Sequence, residues 1–229
     1  GCGGGRCSIG MASWGANVTA YDISETGLED AFHRPGAHQV DWRQANILDL
    51  PDHSESFDFI WCSGVLHHTR DGLSAFKGFR RVLREDGQMF LLVYGSPGLR
   101  FKVIDKLRFV AQQVGFEQVD AAIDDMGLDA GNRKTFLEDL FVPMVHYFSK
   151  DKMHGALTDA GFESIEKCPG PNETHNLPSL VTRLNRLREL FGILEKKKAV
   201  SFIEDALADL PGLSDEERFG EGSHILMVS

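Results

Sequence analysis

The sequence predicts an α/β protein built on a doubly wound, mostly parallel sheet, and three observations carry this. Strand-like and helix-like stretches alternate, with connections of a few residues, from Gly1 to about Tyr94. That is the order of βαβ units. Phe57 to Ser63 (FDFIWCS) reads as an apolar run, the pattern of a strand buried on both faces of a parallel sheet. The chain opens on Gly1-Cys2-Gly3-Gly4-Gly5-Arg6, where glycines without a Cβ let the backbone turn sharply and come close to a ligand.

Taken in order, Arg6 to Ala16 is predicted as the first helix, so the glycine loop delivers backbone N–H groups at a helix N-terminus. Gly15 sits just past its end. Asn17 to Tyr21 reads as a strand ending at Asp22. Ser24 caps a second helix to about Phe32, which Pro35-Gly36 stops. A further strand is expected around Gln39 to Arg43, followed by Ala45-Asn46-Ile47, a loop through Leu50-Pro51 and an acidic turn from Asp52 to Ser56. After the FDFIWCS strand, Asp71 is expected to cap a helix with Leu73, Phe76, Arg80 and Leu83 on one face. Lys77, Arg81 and Arg84 form its solvated face. Glu85-Asp86-Gly87 then turns into a buried strand, Gln88 to Tyr94. In such sheets ligands bind at the carboxyl ends of the strands. The glycine loop, Asp22, Asn46-Ile47 and Ser63-Gly64 all fall there, so four strand ends are expected to assemble one site.

Beyond Tyr94 the alternation lapses. Leu99, Val103, Leu107, Val110 and Val114 mark an amphipathic helix, followed by an acidic loop and a shorter helix near Thr135 to Leu140. Ser149 caps a helix to about Ala160, Gly161 ends it, and Phe162 to Lys167 reads as a strand. The Pro169-Gly170-Pro171 turn leads into a second helical insertion with Leu180, Leu184, Leu187, Phe191 and Leu194 at spacings of four and three. The next helix carries Val200, Ile203, Leu207 and Leu210, and His224 to Val228 closes the chain as a strand. The expected organisation is a core over 1–95, helical insertions over 96–147 and 169–222, and core segments over 148–168 and 223–229. The leucine seam fits either a helical hairpin on its own domain or a homodimer contact.

The totals narrow the function classes. The 229 residues are 42% hydrophobic, enough for a substantial core. No run approaches the roughly 18 apolar residues of a membrane span. A net charge of −10 argues against a broad grip on nucleic acid. Cys2, Cys7, Cys62 and Cys168 form no C-x-x-C pair, so a reduced, cytoplasmic setting is expected, without a disulfide framework or a metal site.

Four stretches resemble the class I S-adenosylmethionine-dependent methyltransferases of the small-molecule type: Gly1 to Arg6, Val18 to Ser24 (VTAYDIS), Ala45 to Asp58, and Ser63 to Thr69 (SGVLHHT) with Arg81 to Gly87. The resemblance covers residues 1 to about 95 well and 148–167 more loosely. It implies a Rossmann-like fold, S-adenosyl-L-methionine as cofactor, and methyl transfer to a small-molecule acceptor. It implies that Gly1, Cys2, Gly3 and Gly5 pass beneath the methionine and ribose parts, that Asp22 with Ile23 holds the ribose, that Asn46 and Ile47 meet the adenine, and that Ser63 and Gly64 supply backbone near the amino group. Two departures stand out. The strand that normally precedes the first glycine is missing from this sequence, so it is expected upstream of Gly1 or has been lost. Asn46 stands where many members have Asp.

His67 and His68 are the candidates for a general base, since imidazole titrates near neutrality. The alternative is that one packs in the loop and the other bonds backbone or cofactor. Tyr94, Arg100, His146 and Tyr147 are the acceptor-binding candidates, because the first insertion leaves the strand ending at Tyr94. Two other functions compete: a domain that binds the cofactor without turnover, and a nicotinamide-dependent oxidoreductase. The spacing of the third glycine disfavours the latter.

Overall fold

The computed structural model describes residues 1–168 and 176–229. The Pro169-Gly170-Pro171 turn lies outside the described residues. The chain divides into two compact units: an α/β unit (1–92, 153–167 and 226–229) and a helical unit (93–152 and 168–225). Among the described residues no helix is long and apolar enough to cross a membrane.

The α/β unit begins with α1 (Arg6–Ser13), β1 (Val18–Asp22), α2 (Glu25–Phe32) and β2 (Val40–Gln44). Its helix ends are set by the residues the sequence marks. Gly15, at φ +94°, stops α1: its N–H reaches the Ala12 carbonyl (2.9 Å) and the Ala16 N–H reaches Met11 (3.3 Å). This left-handed glycine cap ends the helix three residues before the sequence suggested. Ser24 Oγ accepts the Gly27 N–H at the start of α2 (3.1 Å). β1 and β2 pair in parallel, and Ala12, Ala20 and Val40 form a small core between α1 and this ribbon, with Ile9, Val18 and Trp42 against it.

The unit continues with β3 (Phe57–Ser63), α3 (Ala75–Val82), most of β4 (Leu83–Tyr94), part of α7 (Lys150–Asp159), β5 (Ile165–Lys167) and the second half of β6 (Ser223–Val228). Gly161, at φ +93°, terminates α7, with the Phe162 N–H bonded back to Leu157 (3.2 Å). β3 and β4 are parallel and β5 and β6 antiparallel, in the spatial order β3-β4-β6-β5. The strands therefore form two sheets rather than one, with β1 and β3 each at the end of its own sheet among the described residues.

This topology corrects three expectations. β3 is not buried on both faces: Phe59 and Trp61 are 41% and 43% exposed, and only Cys62 is buried. An edge strand lacks the neighbour that covers it, and Trp61 instead stacks on Phe90 of β4, with centroids 4.1 Å apart and planes 7° apart. Leu83 opens β4 rather than ending a helix. Glu85-Asp86-Gly87 is a bulge within the strand, lying between the Phe57↔Leu83 and Phe59↔Gln88 pairs. Asp71 makes no side-chain cap; a single 3₁₀ turn, Gly72–Ser74, precedes α3.

The helical unit comprises α4 (Leu99–Val114), α5 (Phe116–Asp125), α6 (Ala130–Phe141), α8 (Leu177–Ile193), α9 (Lys197–Asp209) and α10 (Asp215–Phe219). Part of the expected acidic loop is helix α5. Its acidic residues face a cation: Arg133 of α6 grips Asp120 through Nε (2.9 Å) and Nη2 (2.7 Å) and reaches Asp124 (2.5 Å). Asp129 caps α6 by accepting the Asn132 N–H (3.0 Å), so that helix starts five residues before the sequence placed it. Leu180, Leu184, Leu187 and Phe191 are buried in one core with Val103, Ile104, Leu107, Ile123 and Ile203. α8 and α9 pack as a hairpin. The leucine seam thus packs within its own unit, as the helical-hairpin alternative has it.

Candidate active site

The glycine loop owes its glycines to two different demands. Gly3 and Gly5 both adopt positive φ, +49° and +75°. A Cβ on Gly5 would lie 2.4 Å from the Trp42 ring and 3.0 Å from Ala31, whereas one on Gly3 would meet nothing within 4 Å. Gly5 is required by packing, and Gly3 by a turn with open space beside it. A Cβ on Gly1 would lie 2.4 Å from Val65, so the loop rests against the segment that follows β3. Cys2 N–H donates to the Tyr21 carbonyl (2.9 Å), and burial pushes its thiol pKa up, as befits a packed rather than a nucleophilic sulfur.

Asp22 joins this loop to the end of β1. Its Oδ2 accepts the Gly3 N–H (2.7 Å) and its Oδ1 the Ser24 N–H (2.9 Å). Burial pushes the carboxyl pKa up, but opposing contributions led by the backbone N–H groups of Ser24 and Gly3 bring the pKa, on balance, below its ordinary value. Asp22 is therefore a nearly buried carboxylate that stays ionised, and each oxygen keeps a lone pair for a further donor. Ile23 beside it is 68% exposed.

The loop after β2 is ordered by its own polar groups. Asn46 Oδ1 accepts the Leu48 N–H (3.0 Å), closing an Asx turn, and Ala45 N–H donates to the Asp22 carbonyl (3.0 Å). The amide oxygen assigned to adenine thus also shapes its loop, with a second lone pair in hand. Ile47 is half-buried. At the end of β3, Ser63 pairs with Leu92, and Gly64, at φ +76°, donates its N–H to Leu92 (3.0 Å) with nothing within 4 Å of where a Cβ would sit.

Sequence reasoning missed the clasp that fixes this loop. Tyr21 OH donates to both Asp52 oxygens (2.7 and 2.6 Å), and Arg43 lies 3.3 Å from the same carboxylate. Burial and the Asp52 charge push the Tyr21 phenol up to about 12. Arg81, expected on a solvated face, reaches back to the carbonyls of Leu50 (2.7 Å) and Asp52 (2.5 Å). Nothing in the local pattern separates these residues from ordinary surface charge. The contacts arise only when β1, the loop and α3 come together.

The two histidines part company. Their rings touch edge to face, with centroids 4.2 Å apart. His67 is buried, and that burial, reinforced by His68, pushes its pKa down to about 3. His68 is exposed.

In the helical unit, Phe101 makes tilted ring contacts with Tyr94 and Tyr147, with centroids 4.9 and 5.6 Å away. Arg100 lies over the Phe101 ring (4.7 Å) and donates to Asp139 (2.8 Å). Tyr147 OH donates to Asp105 (3.0 Å). Three of the four acceptor candidates are therefore grouped, while His146 is exposed and takes no part in these contacts.

Residues 1–91 match a methyltransferase domain family. Over 99 residues the chain is 38% identical to a ubiquinone biosynthesis O-methyltransferase of Actinobacillus pleuropneumoniae, covering 39% of this chain and 42% of that protein. It is 34% identical over 143 residues to a 27-O-demethylrifamycin SV methyltransferase of Amycolatopsis mediterranei, covering 56% and 52%. The chain thus spans about half the length, or less, of these relatives. A solved S-adenosylmethionine-dependent methyltransferase of Thermotoga maritima shares the fold, with a TM-score of 0.51 at 18% identity over 78% of this chain and 68% of that one. Residues 1–91, which hold the glycine loop, the carboxylate closing β1 and two further strand ends, are thus similar to a methyltransferase domain family, and the chain shares the fold of solved methyltransferases.

Proposed function

We propose that this chain transfers a methyl group from S-adenosyl-L-methionine to a small-molecule acceptor. The observation that carries the reading is the ionised Asp22 carboxylate, bonded to Gly3 at the mouth of an open glycine turn. The residues fit the cofactor. Asp22 has acceptor capacity for ribose hydroxyls, exposed Ile23 and half-buried Ile47 offer apolar surface to a base, and Ser63 and Gly64 offer backbone at the neighbouring strand end. When bound, the cofactor supplies a methyl group activated by its sulfonium sulfur. The protein's part is proximity and orientation for an in-line displacement. The names of the two relatives favour an oxygen acceptor. A hydroxyl nucleophile loses its proton as it attacks, and exposed His68, rather than buried His67, is the imidazole suited to take it. Under this reading the helical unit supplies the acceptor pocket.

The test is calorimetry of cofactor binding. Asp22→Ala should weaken affinity about ten- to a hundredfold, or roughly 1.5–3 kcal/mol, by removing charge-assisted acceptors. Equal affinity in mutant and wild type would overturn the assignment, as would NADH binding in place of the cofactor. Release of S-adenosylhomocysteine across a panel of phenols then tests turnover, and its absence for every acceptor would favour a binding domain.

A further inference from the structure

The loop that leaves β2 offers a base more than apolar surface. Ala45 N–H donates to the Asp22 carbonyl (3.0 Å), and Gln44 Nε2 donates to the Ile23 carbonyl (3.1 Å). Asn46 is therefore the first residue of a loop tied to the end of β1, beside the carboxylate suited to ribose hydroxyls. A nucleoside's base is bonded directly to its ribose, so a base whose sugar sits on Asp22 lies within reach of this loop. Asn46 Oδ1 accepts the Leu48 N–H (3.0 Å), and the Asp49 N–H closes the same turn on the Asn46 carbonyl (2.9 Å). An N–H needs an oxygen to receive it, so the Leu48 bond fixes which arm of the amide faces the loop. The other arm, Nδ2, belongs to an exposed side chain and donates to nothing among the described residues. Neither does the Ile47 N–H. The loop thus holds two unused donors around one oxygen that keeps a lone pair.

We propose that Asn46 is a specificity-determining residue whose Nδ2 donates to N7 of the cofactor's adenine. This rests on the methyltransferase reading and its cofactor. Along the loop the unused groups run donor, acceptor, donor: Ile47 N–H, Asn46 Oδ1, Asn46 Nδ2. Along adenine's edge, N1, the amino group and N7 run acceptor, donor, acceptor, which is the complementary order. The amide then takes the amino group and N7 together, a bidentate match that asparagine makes with adenine. A base with a 6-oxo group sets an oxygen against Oδ1 and an N1–H against the Ile47 N–H, so it is rejected at two points. Aspartate closes the same kind of turn but has only acceptors when ionised. Asn46→Asp therefore keeps the loop and the contact to the amino group, and turns an oxygen onto the N7 lone pair.

The test is calorimetry of the full chain with three probes: S-adenosylhomocysteine, its 7-deaza analogue, in which N7 is a C–H, and S-inosylhomocysteine. Wild type should bind the 7-deaza analogue about tenfold more weakly than S-adenosylhomocysteine, and S-inosylhomocysteine more weakly still. Asn46→Asp should lose about tenfold for S-adenosylhomocysteine. The same variant should bind the 7-deaza analogue at least as tightly as it binds S-adenosylhomocysteine, because the repelling lone pair is gone. A purely structural role for Asn46 weakens all three ligands alike and does not reverse their order. Three outcomes overturn the assignment: Asn46→Asp binding S-adenosylhomocysteine as tightly as wild type or tighter, wild type failing to distinguish it from either analogue, or an equal loss for every ligand in the variant. Each of these leaves the cofactor bound and the methyltransferase reading standing. The predicted pattern with no S-adenosylhomocysteine released from any acceptor keeps the adenine contact and sinks methyl transfer. No binding of S-adenosylhomocysteine to wild type overturns both.

Discussion

The α/β unit and the helical unit are held together by different means. In the helical unit, leucines, isoleucines and phenylalanines of five helices merge into one continuous core, with Leu184, Leu190 and Phe191 wholly buried. Around the glycine loop, the β1-β2 ribbon rests on a small cluster, Ala12, Ala20 and Val40, with Cys2, Ile9, Val18 and Trp42 packed against it. Its geometry is fixed instead by hydrogen bonds to two carboxylates, Asp22 and Asp52. Apolar burial is strong but non-directional, whereas a carboxylate gripped by backbone N–H groups fixes positions closely. The proposed chemistry lies where directional bonds predominate, and much of the apolar burial lies in the helical unit.

The sharpest way to break this contrast is to damage the helical core alone. Phe191→Ala should cost about 3–5 kcal/mol in urea unfolding, from lost burial plus a cavity. Cofactor affinity measured well below the transition should stay at the wild-type value. A loss under 1 kcal/mol would mean that the helical core collapses readily and is not the dominant anchor.

The α/β unit should show its own weakness in acid. His67 has a folded-state pKa near 3 against an ordinary 6.5. Between those values the unfolded chain binds the proton and the folded one does not. The stabilisation is complete above about pH 6.5 and is lost as pH falls toward 3, by up to about 1.4 kcal/mol per pH unit. Urea midpoints from pH 7 to 4 should drop less steeply in His67→Gln than in wild type. Parallel pH profiles would remove His67 as the cause.

The smallest test sets two glycines against each other. Gly5→Ala drives a methyl into Trp42 and should cost about 1–3 kcal/mol of stability. Gly3→Ala meets no neighbour, so its cost is the left-handed backbone, about 1–2 kcal/mol. Its added methyl should also weaken cofactor binding by pointing into the open turn. Unchanged affinity in Gly3→Ala would place the ligand elsewhere.

Legibility in the sequence divides along physical lines. Signals that act within a few residues were readable: Ser24 as a cap, Gly15 and Gly161 as helix stops, Asp22 at a strand end. Signals that need a distant partner were not. The apolar run FDFIWCS looks the same in a central strand and in an edge strand, and only the sheet order distinguishes them. The acidic stretch from Glu117 reads as a loop until Arg133 neutralises one face of it. The leucine seam states that it will be buried but not against what. His67 and His68 are adjacent and chemically identical, so only the three-dimensional surroundings decide which one loses its affinity for a proton. In the candidate site, the position of Asp22 at a strand end was readable, whereas its bonds to Gly3 and Ser24 and the Asp52 clasp were not.

That clasp changes how the loop after β2 moves in time. A surface connection from Ala45 to Ser56 would ordinarily open and close freely, exchanging its amide hydrogens quickly and offering itself to proteases. Here Arg81 holds the Leu50 and Asp52 carbonyls, and Tyr21 with Arg43 holds the Asp52 carboxylate. Opening the loop means detaching it from β1, β2 and α3 at once. The segment around Asp52 is therefore coupled to the strands it joins. Its deuterium uptake should follow the slow rhythm of the sheet rather than the fast one of a turn, which keeps the wall of the site standing between one ligand and the next.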